Sequence, residues 1–121
     1  MTRFPDGFDP EDPAARAELL DRVNADDLPS LAGFVGAYLH EDWQLDFGSA
    51  AEAAFAFLGE ADLDDVEELA ADWELLVEAT RDLDLATLNR LLRERFRSGW
   101  HLVSKDELQA VTQELDRARR E

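Results

Sequence analysis

Two histidines are the residues of this sequence best suited to acid–base or metal chemistry. His40 and His101 lie far apart in the chain, and neither belongs to an H-x-x-x-H or H-E-x-x-H pattern, which would place two imidazoles on one helix face. Glu41 and Asp42 follow His40, but adjacent residues at a helix end rarely converge on one metal ion. We expect His40 instead to stabilise a helix C-terminus, as a cation or by donating to a final carbonyl. The sequence predicts no metal site.

The densest group of carboxylates lies in the middle of the chain and consists of Asp62, Asp64, Asp65, Glu67 and Glu68. An EF-hand calcium loop needs glycine at its sixth position and glutamate at its twelfth, whereas Leu63, Val66 and Leu69 interrupt this group. Acidic residues at a helix N-terminus are stabilised by the helix dipole. The pattern therefore predicts a helix start with a solvated acidic face.

The remaining residues support no catalytic constellation. The chain has no cysteine, so it has no thiol nucleophile, disulfide or cysteine-based zinc site. It also has no glycine-rich phosphate loop and no nucleophile elbow around a serine. We expect a protein that is not an enzyme and that needs no cofactor.

Four arginines cluster on one predicted helix, at Arg90, Arg93, Arg95 and Arg97. Alone, such a cluster could bind phosphate groups. Glu94 stands among them, however, and acids are abundant elsewhere in the chain. The sequence favours internal ion pairs, each contributing at most about 1 kcal/mol at a surface.

The charge of the chain is large and unevenly distributed. Its 121 residues include 29 acids and 12 lysines or arginines, for a formal net charge of −17. Residues 1–85 hold 23 of the acids but only four of the bases. Such a surface repels phosphate backbones and anionic lipids, so we expect no direct contact with nucleic acid or membrane and a basic protein as partner.

Helix periodicity and capping signals organise the chain. At 45% hydrophobic residues, it can bury one core, and we expect a single domain over 1–121, with an extended arm over 1–10. Apolar residues recur at helical spacing, and no segment of useful length shows strand alternation. The predicted fold is an all-α compact bundle of about five to six short helices. The expected N-caps are Asp12, Ser30, Ser49 and Ser104. A further helix is expected to start around Asp62–Asp65, and another after Asp84.

The tryptophans and two glycines raise the question of an interface. Trp73 lies on an apolar helical stripe and is predicted to be in the core, whereas Trp43 and Trp100 fit either a core position or an exposed anchor. Gly33 and Gly36 each cost a helix about 1 kcal/mol relative to alanine. We expect them to permit a close approach of another helix.

The stretch from Phe34 to Leu58 resembles the small helical immunity proteins of bacterial contact-dependent growth inhibition systems. The family pattern has a helix that ends in an aromatic residue, a hydrophobe, His, any residue, Asp and Trp, followed by an aromatic-Gly loop and a short helix ending in Phe-Leu. The match is good over residues 31–58, generic as far as Phe96, and lost after Gly99. The matching positions are Tyr38, Leu39, His40, Asp42, Trp43, Phe47, Gly48, Phe57 and Leu58.

The resemblance implies a non-catalytic protein that binds and neutralises a cognate toxin domain, often a nuclease. Nuclease toxins are commonly basic where they hold nucleic acid, which agrees with the charge of this chain. Because motif residues shared across varied partners are better explained as fold determinants, we assign a structural role to Tyr38, His40, Asp42, Trp43, Phe47 and Gly48. We place the toxin contacts on the acidic surface, at Glu41, Asp42, Asp46, Asp62, Asp64, Asp65, Glu67 and Glu68.

Two other functions fit the composition. A helical adaptor or homodimeric structural protein would use its acidity only for solubility, with Gly33, Gly36, Trp43 and Trp100 marking a self-association face. An acidic mimic of DNA would bind basic proteins promiscuously. The expected state of association is a monomer or a weak homodimer, and the absence of an apolar leader or spanning segment predicts a cytoplasmic location.

Overall fold

Six helices form the described part of the chain, and no strand occurs within it. The computed structural model describes residue 9 and residues 11–40 and 48–120, the last without its side chain. The predicted all-α class is confirmed. The helices are α1 (Pro13–Asp21), α2 (Pro29–Tyr38), α3 (Ala50–Glu60), α4 (Leu63–Ala79), α5 (Leu85–Phe96) and α6 (Asp106–Arg120).

Four helices begin where local capping chemistry predicts. In each, the side chain of the N-cap residue accepts a hydrogen bond from a backbone N–H of the first turn, which otherwise lacks a partner. The pairs are Asp12 with Ala14, Ser49 with Glu52, Asp62 with Asp65, and Asp84 with Thr87, at 2.8–3.1 Å. Hydrogen bonds from Thr87 also lower the pKa of Asp84 below its ordinary value.

The start of α2 differs from the prediction. Ser30 is not the N-cap, because the helix begins one residue earlier at Pro29, and Leu28 at the cap offers no side-chain acceptor. Instead, the buried carboxylate of Asp72, on α4, accepts a hydrogen bond from the Leu31 N–H at 3.0 Å. A side chain distant in sequence thus caps α2.

The ends of α3 and α5 are also well defined. The helix α3 continues through Gly59 to Glu60. The helix α5 ends at Phe96, and the next residue, Arg97, adopts the left-handed conformation with φ = 54°. The N–H groups of Arg97 and Ser98 both donate to the Leu92 carbonyl, which satisfies an acceptor that the helix end leaves free.

The helix α4 is central, since it packs against α1, α2 and α6, while α3 packs on α6 and α2 contacts α3 and α5. Apolar side chains from all six helices meet in one core. Their burial is the main stabilising contribution to such a bundle. The largest fully buried side chains are Phe34, Leu19, Leu28, Leu31, Leu39, Leu69, Leu75, Leu76, Leu88, Leu92, Leu102 and Val23.

Two of the three tryptophans lie in this core. Trp73 is buried as predicted, and Trp100 stacks on it with ring centroids 6.4 Å apart. Their indole N–H groups donate to Thr112 and Glu107. Trp100 is therefore a core residue and not an exposed anchor, whereas Trp43 lies outside the described residues.

The prediction for Gly33 and Gly36 is wrong within the described chain. Both lie on the exposed side of α2, and a Cβ at either position would meet no described atom within 4 Å. No described helix of the chain packs closely against them. Their open surroundings mean that neither glycine is required for the packing of α2.

Candidate partner-binding surface

The predicted acidic face forms at the N-terminus of α4. Asp62 is the cap, and the other residues lie in the first two turns, all exposed to solvent. Their side chains stay outside because Val66, Leu69 and Ala70 face the core. We call this set the α4 acidic surface: Asp62, Asp64, Asp65, Glu67 and Glu68. The structure brings together all five predicted site residues that it describes.

Several of these carboxylates already have partners within the protein. Asp62 caps α4, Glu68 accepts a hydrogen bond from the Ser30 hydroxyl at 3.3 Å, and Glu67 pairs with Arg119 at 3.7 Å. The carboxylates of Asp64 and Asp65, by contrast, form no hydrogen bond or ion pair with any described residue. Within the α4 acidic surface, these two carboxylates are the most available to a partner. The side chain of Leu63, 66% exposed, lies beside them.

The surface continues toward the C-terminal end of α2. The Tyr38 hydroxyl donates to Glu60 at 2.8 Å, two residues before Asp62. This hydrogen bond, with burial and the charge of Glu60, raises the pKa of Tyr38 above its ordinary value. The Tyr38 ring also packs against Phe34 and Phe57, with centroids 5.7–5.8 Å apart. Tyr38 therefore joins α2 to α3.

Gly48 is a further motif residue with a defined contact. Its N–H donates to Glu52 Oε2 at 2.8 Å, completing a reciprocal cap with Ser49. A Cβ at Gly48 would lie 2.9 Å from that same oxygen, so a side chain there would displace Glu52. The predicted contacts Glu41, Asp42 and Asp46, and the motif residues Trp43 and Phe47, lie outside the described residues.

The four arginines of α5 do not behave as predicted. Among the described residues none of them forms an ion pair. Arg95 donates to the carbonyls of Leu20 and Val23 at 2.7 and 3.0 Å, tying α5 to the end of α1. Arg93 and Arg97 line a cleft of about 540 Å³ that also includes His101. Sequence reasoning missed this cleft because it depends on how the chain turns after α5.

Two features of the described residues concern metal ions and membranes. Its His, Asp and Glu side chains never come together in a group of three placed to share a metal ion. Each helix in the described ranges is too short or too polar to cross a lipid bilayer. What the structure offers is an acidic helical surface, a class of site used for contact with another macromolecule.

The comparison with protein families agrees with this class. A family model described as CdiI immunity protein matches residues 27–115, which includes α2 to α5 and most of α6. The chain belongs to the CdiI immunity protein family, whose members are toxin-neutralising inhibitors rather than enzymes. Comparison with curated proteins and with solved structures finds no significant match.

Proposed function

We propose that this protein neutralises a basic nuclease toxin domain by placing the α4 acidic surface against the surface that the toxin uses to hold nucleic acid. Family membership supports a toxin partner. The observation that supports this mode of binding is the exposure of Asp64 and Asp65. Their carboxylates form no hydrogen bond or ion pair with any described residue. Exposed, unpaired acids lose no internal contact when a cationic partner binds.

The physical consequence of this arrangement is fast, oriented association. The formal net charge of −17 and a concentrated acidic surface attract a basic domain from a distance and favour encounters with that surface facing it. Electrostatic attraction of this kind raises association rates by about 10- to 1,000-fold and weakens as salt rises. Apolar contacts, such as the exposed Leu63 side chain beside the acids, would prolong the complex.

The test is a charge reversal at the two free acids. The double variant Asp64→Lys/Asp65→Lys leaves the capping side chain of Asp62 in place. The cognate toxin domain is to be sought in the gene beside this one. We expect the variant to slow association with that domain by about 10-fold or more at low salt. Stopped-flow or biosensor kinetics over a range of salt concentrations measure this effect.

A matched control is available on α1 and the residues before it. Glu11→Lys/Glu18→Lys makes the same change in net charge at exposed residues, while α1 contacts the far end of α4 through Arg16 and Glu78. We expect the control to slow association by about 3-fold or less. Equal effects of the two double variants would show that only total charge matters, and would contradict the assignment to α4.

A further inference from the structure

A basic cleft lies at the C-terminal end of α5, in a protein that is otherwise acidic. It has a volume of about 540 Å³. Its walls come from the last turns of α5 and the segment that follows. The lining residues are Asn89, Arg93, Arg97, Ser98, Gly99, Trp100 and His101.

The two arginines of the cleft are not used to hold the fold together. Arg93 lies in the last turn of α5 and Arg97 directly after its end; both line the cleft, and both are exposed. Neither guanidinium group forms a hydrogen bond or an ion pair with any described residue. Arg95, on another side of the helix, is fixed to two carbonyls of the α1 end. The cleft therefore contains two guanidinium groups with all their donors available.

The polar side chains around these arginines are, by contrast, held in place. The buried Asn89 amide both donates to and accepts from the Leu102 backbone, at 2.9 and 2.8 Å. The Ser98 hydroxyl accepts from the Trp100 N–H at 2.9 Å, and the Trp100 ring is stacked on Trp73. A cleft with fixed walls loses little conformational entropy when a group enters it.

The backbone conformation of Arg97 is a further feature of the cleft. Its φ of 54° is the one positive φ of a non-glycine residue in the described chain. At this position after a helix, glycine is the usual residue because it has no steric penalty there. An arginine in this sparsely populated conformation is a candidate for a functional role.

We propose that this cleft binds a carboxylate side chain of the toxin domain, held by Arg93 and Arg97. The inference rests on the proposed toxin-binding function and adds a second contact of opposite sign. A guanidinium group matches a carboxylate with two parallel hydrogen bonds. A polynucleotide is a poor occupant, because its many phosphates would be repelled by the −17 charge of the chain.

Two contacts place the cleft and the α4 acidic surface near the same end of α2. The Leu39 carbonyl, directly after α2, accepts from the Gly99 N–H of the cleft at 2.8 Å. Tyr38, one residue earlier, contacts Glu60 beside the α4 acidic surface. Both surfaces therefore adjoin the C-terminal end of α2. Paired patches of opposite sign fix the orientation of a partner and exclude proteins that are merely basic.

The test is the affinity of the Arg93→Glu/Arg97→Glu variant for the toxin domain encoded by the neighbouring gene, measured by calorimetry. The control is Arg22→Glu/Arg90→Glu, which changes the same net charge at exposed residues outside the cleft. A more negative chain should attract a basic toxin slightly better, so we expect the control to bind equally or more tightly. We expect the cleft variant to bind about 100-fold or more weakly.

Two further measurements separate a binding defect from a folding defect. The variant Arg97→Gly keeps the left-handed backbone conformation without the steric penalty of a Cβ, so we expect its unfolding midpoint to be unchanged or higher, while its affinity for the toxin domain falls. Arg93→Lys/Arg97→Lys should recover part of the affinity, because it restores charge without the paired hydrogen bonds.

The outcomes that would overturn the inference are distinct. If the cleft variant binds as tightly as its control, no carboxylate of the toxin occupies the cleft. If the free protein binds a single-stranded oligonucleotide and Arg93→Glu/Arg97→Glu abolishes that binding, the cleft belongs to nucleic acid. If the unsubstituted protein fails to bind the toxin domain, the proposed function itself fails and this inference with it.

Discussion

Replacing Asp72 by alanine should destabilise the protein strongly, because this buried carboxylate caps a helix to which it is not adjacent in sequence. Its side chain is fully buried and accepts from the Leu31 N–H at 3.0 Å. A hydrogen bond to a charged group contributes about 1.5–3 kcal/mol, and a buried donor left without a partner costs about 1–3 kcal/mol. Both ranges include part of the same lost interaction, so they cannot simply be added. We expect Asp72→Ala to lower the free energy of unfolding by about 3 kcal/mol.

The variant Asp72→Asn separates the hydrogen bond from the charge. It keeps an acceptor oxygen but loses the favourable interaction of an anion with the N-terminus of α2, so we expect a cost of about 1 kcal/mol. The control is Glu74→Ala on the same helix, where an exposed ion pair with Arg119 is worth at most about 1 kcal/mol. Urea unfolding at equilibrium measures all three. If Asp72→Ala costs no more than Glu74→Ala, Asp72 does not stabilise α2 as described.

Two further predictions concern the family motif. Because its hydrogen bond to Glu60 raises the pKa of Tyr38, the bond stabilises the fold below the ordinary tyrosine pKa of 10.0 and is lost as pH rises through the higher folded-state value. Tyr38 is the only tyrosine, so tyrosinate absorbance reports it directly; Glu60→Gln should lower its pKa, and no change would refute the contact. Gly48→Ala should lower the free energy of unfolding by about 1 kcal/mol or less, because the new Cβ displaces the flexible end of Glu52 and breaks one capping hydrogen bond. In the Glu52→Ala background the same substitution should cost less. An equal cost in both backgrounds would show that displacement of Glu52 is not the cause.

The helix starts show what could be predicted from the sequence. Asp12, Ser49, Asp62 and Asp84 act on N–H groups two or three residues away, so a short stretch of sequence contains both partners. The cap of α2 could not be found in this way, because Asp72 follows Leu31 by 41 residues and meets it only when α4 packs on α2. The prediction that Ser30 caps α2 is wrong for the same reason.

In the candidate site, too, the features set by residues close in sequence could be predicted, and those set by distant residues could not. The exposure of Asp64 and Asp65 could be predicted, since charged residues between core-facing positions of a helix remain outside. The sequence could not show which acids have partners inside the protein, because a pair such as Glu67 and Arg119 forms only when the last helix packs against α4. The roles of the α5 arginines likewise depend on the end of α1 and on the turn at Arg97.

The central claim is that this protein neutralises a basic nuclease toxin by occupying its nucleic-acid-binding surface. The most direct measurement is a titration of the nuclease activity of the neighbouring gene's toxin domain with the purified protein at low salt. Our account predicts that activity falls in proportion to the protein added and disappears at an equimolar ratio. Nuclease activity that persists when the protein is in excess would contradict it.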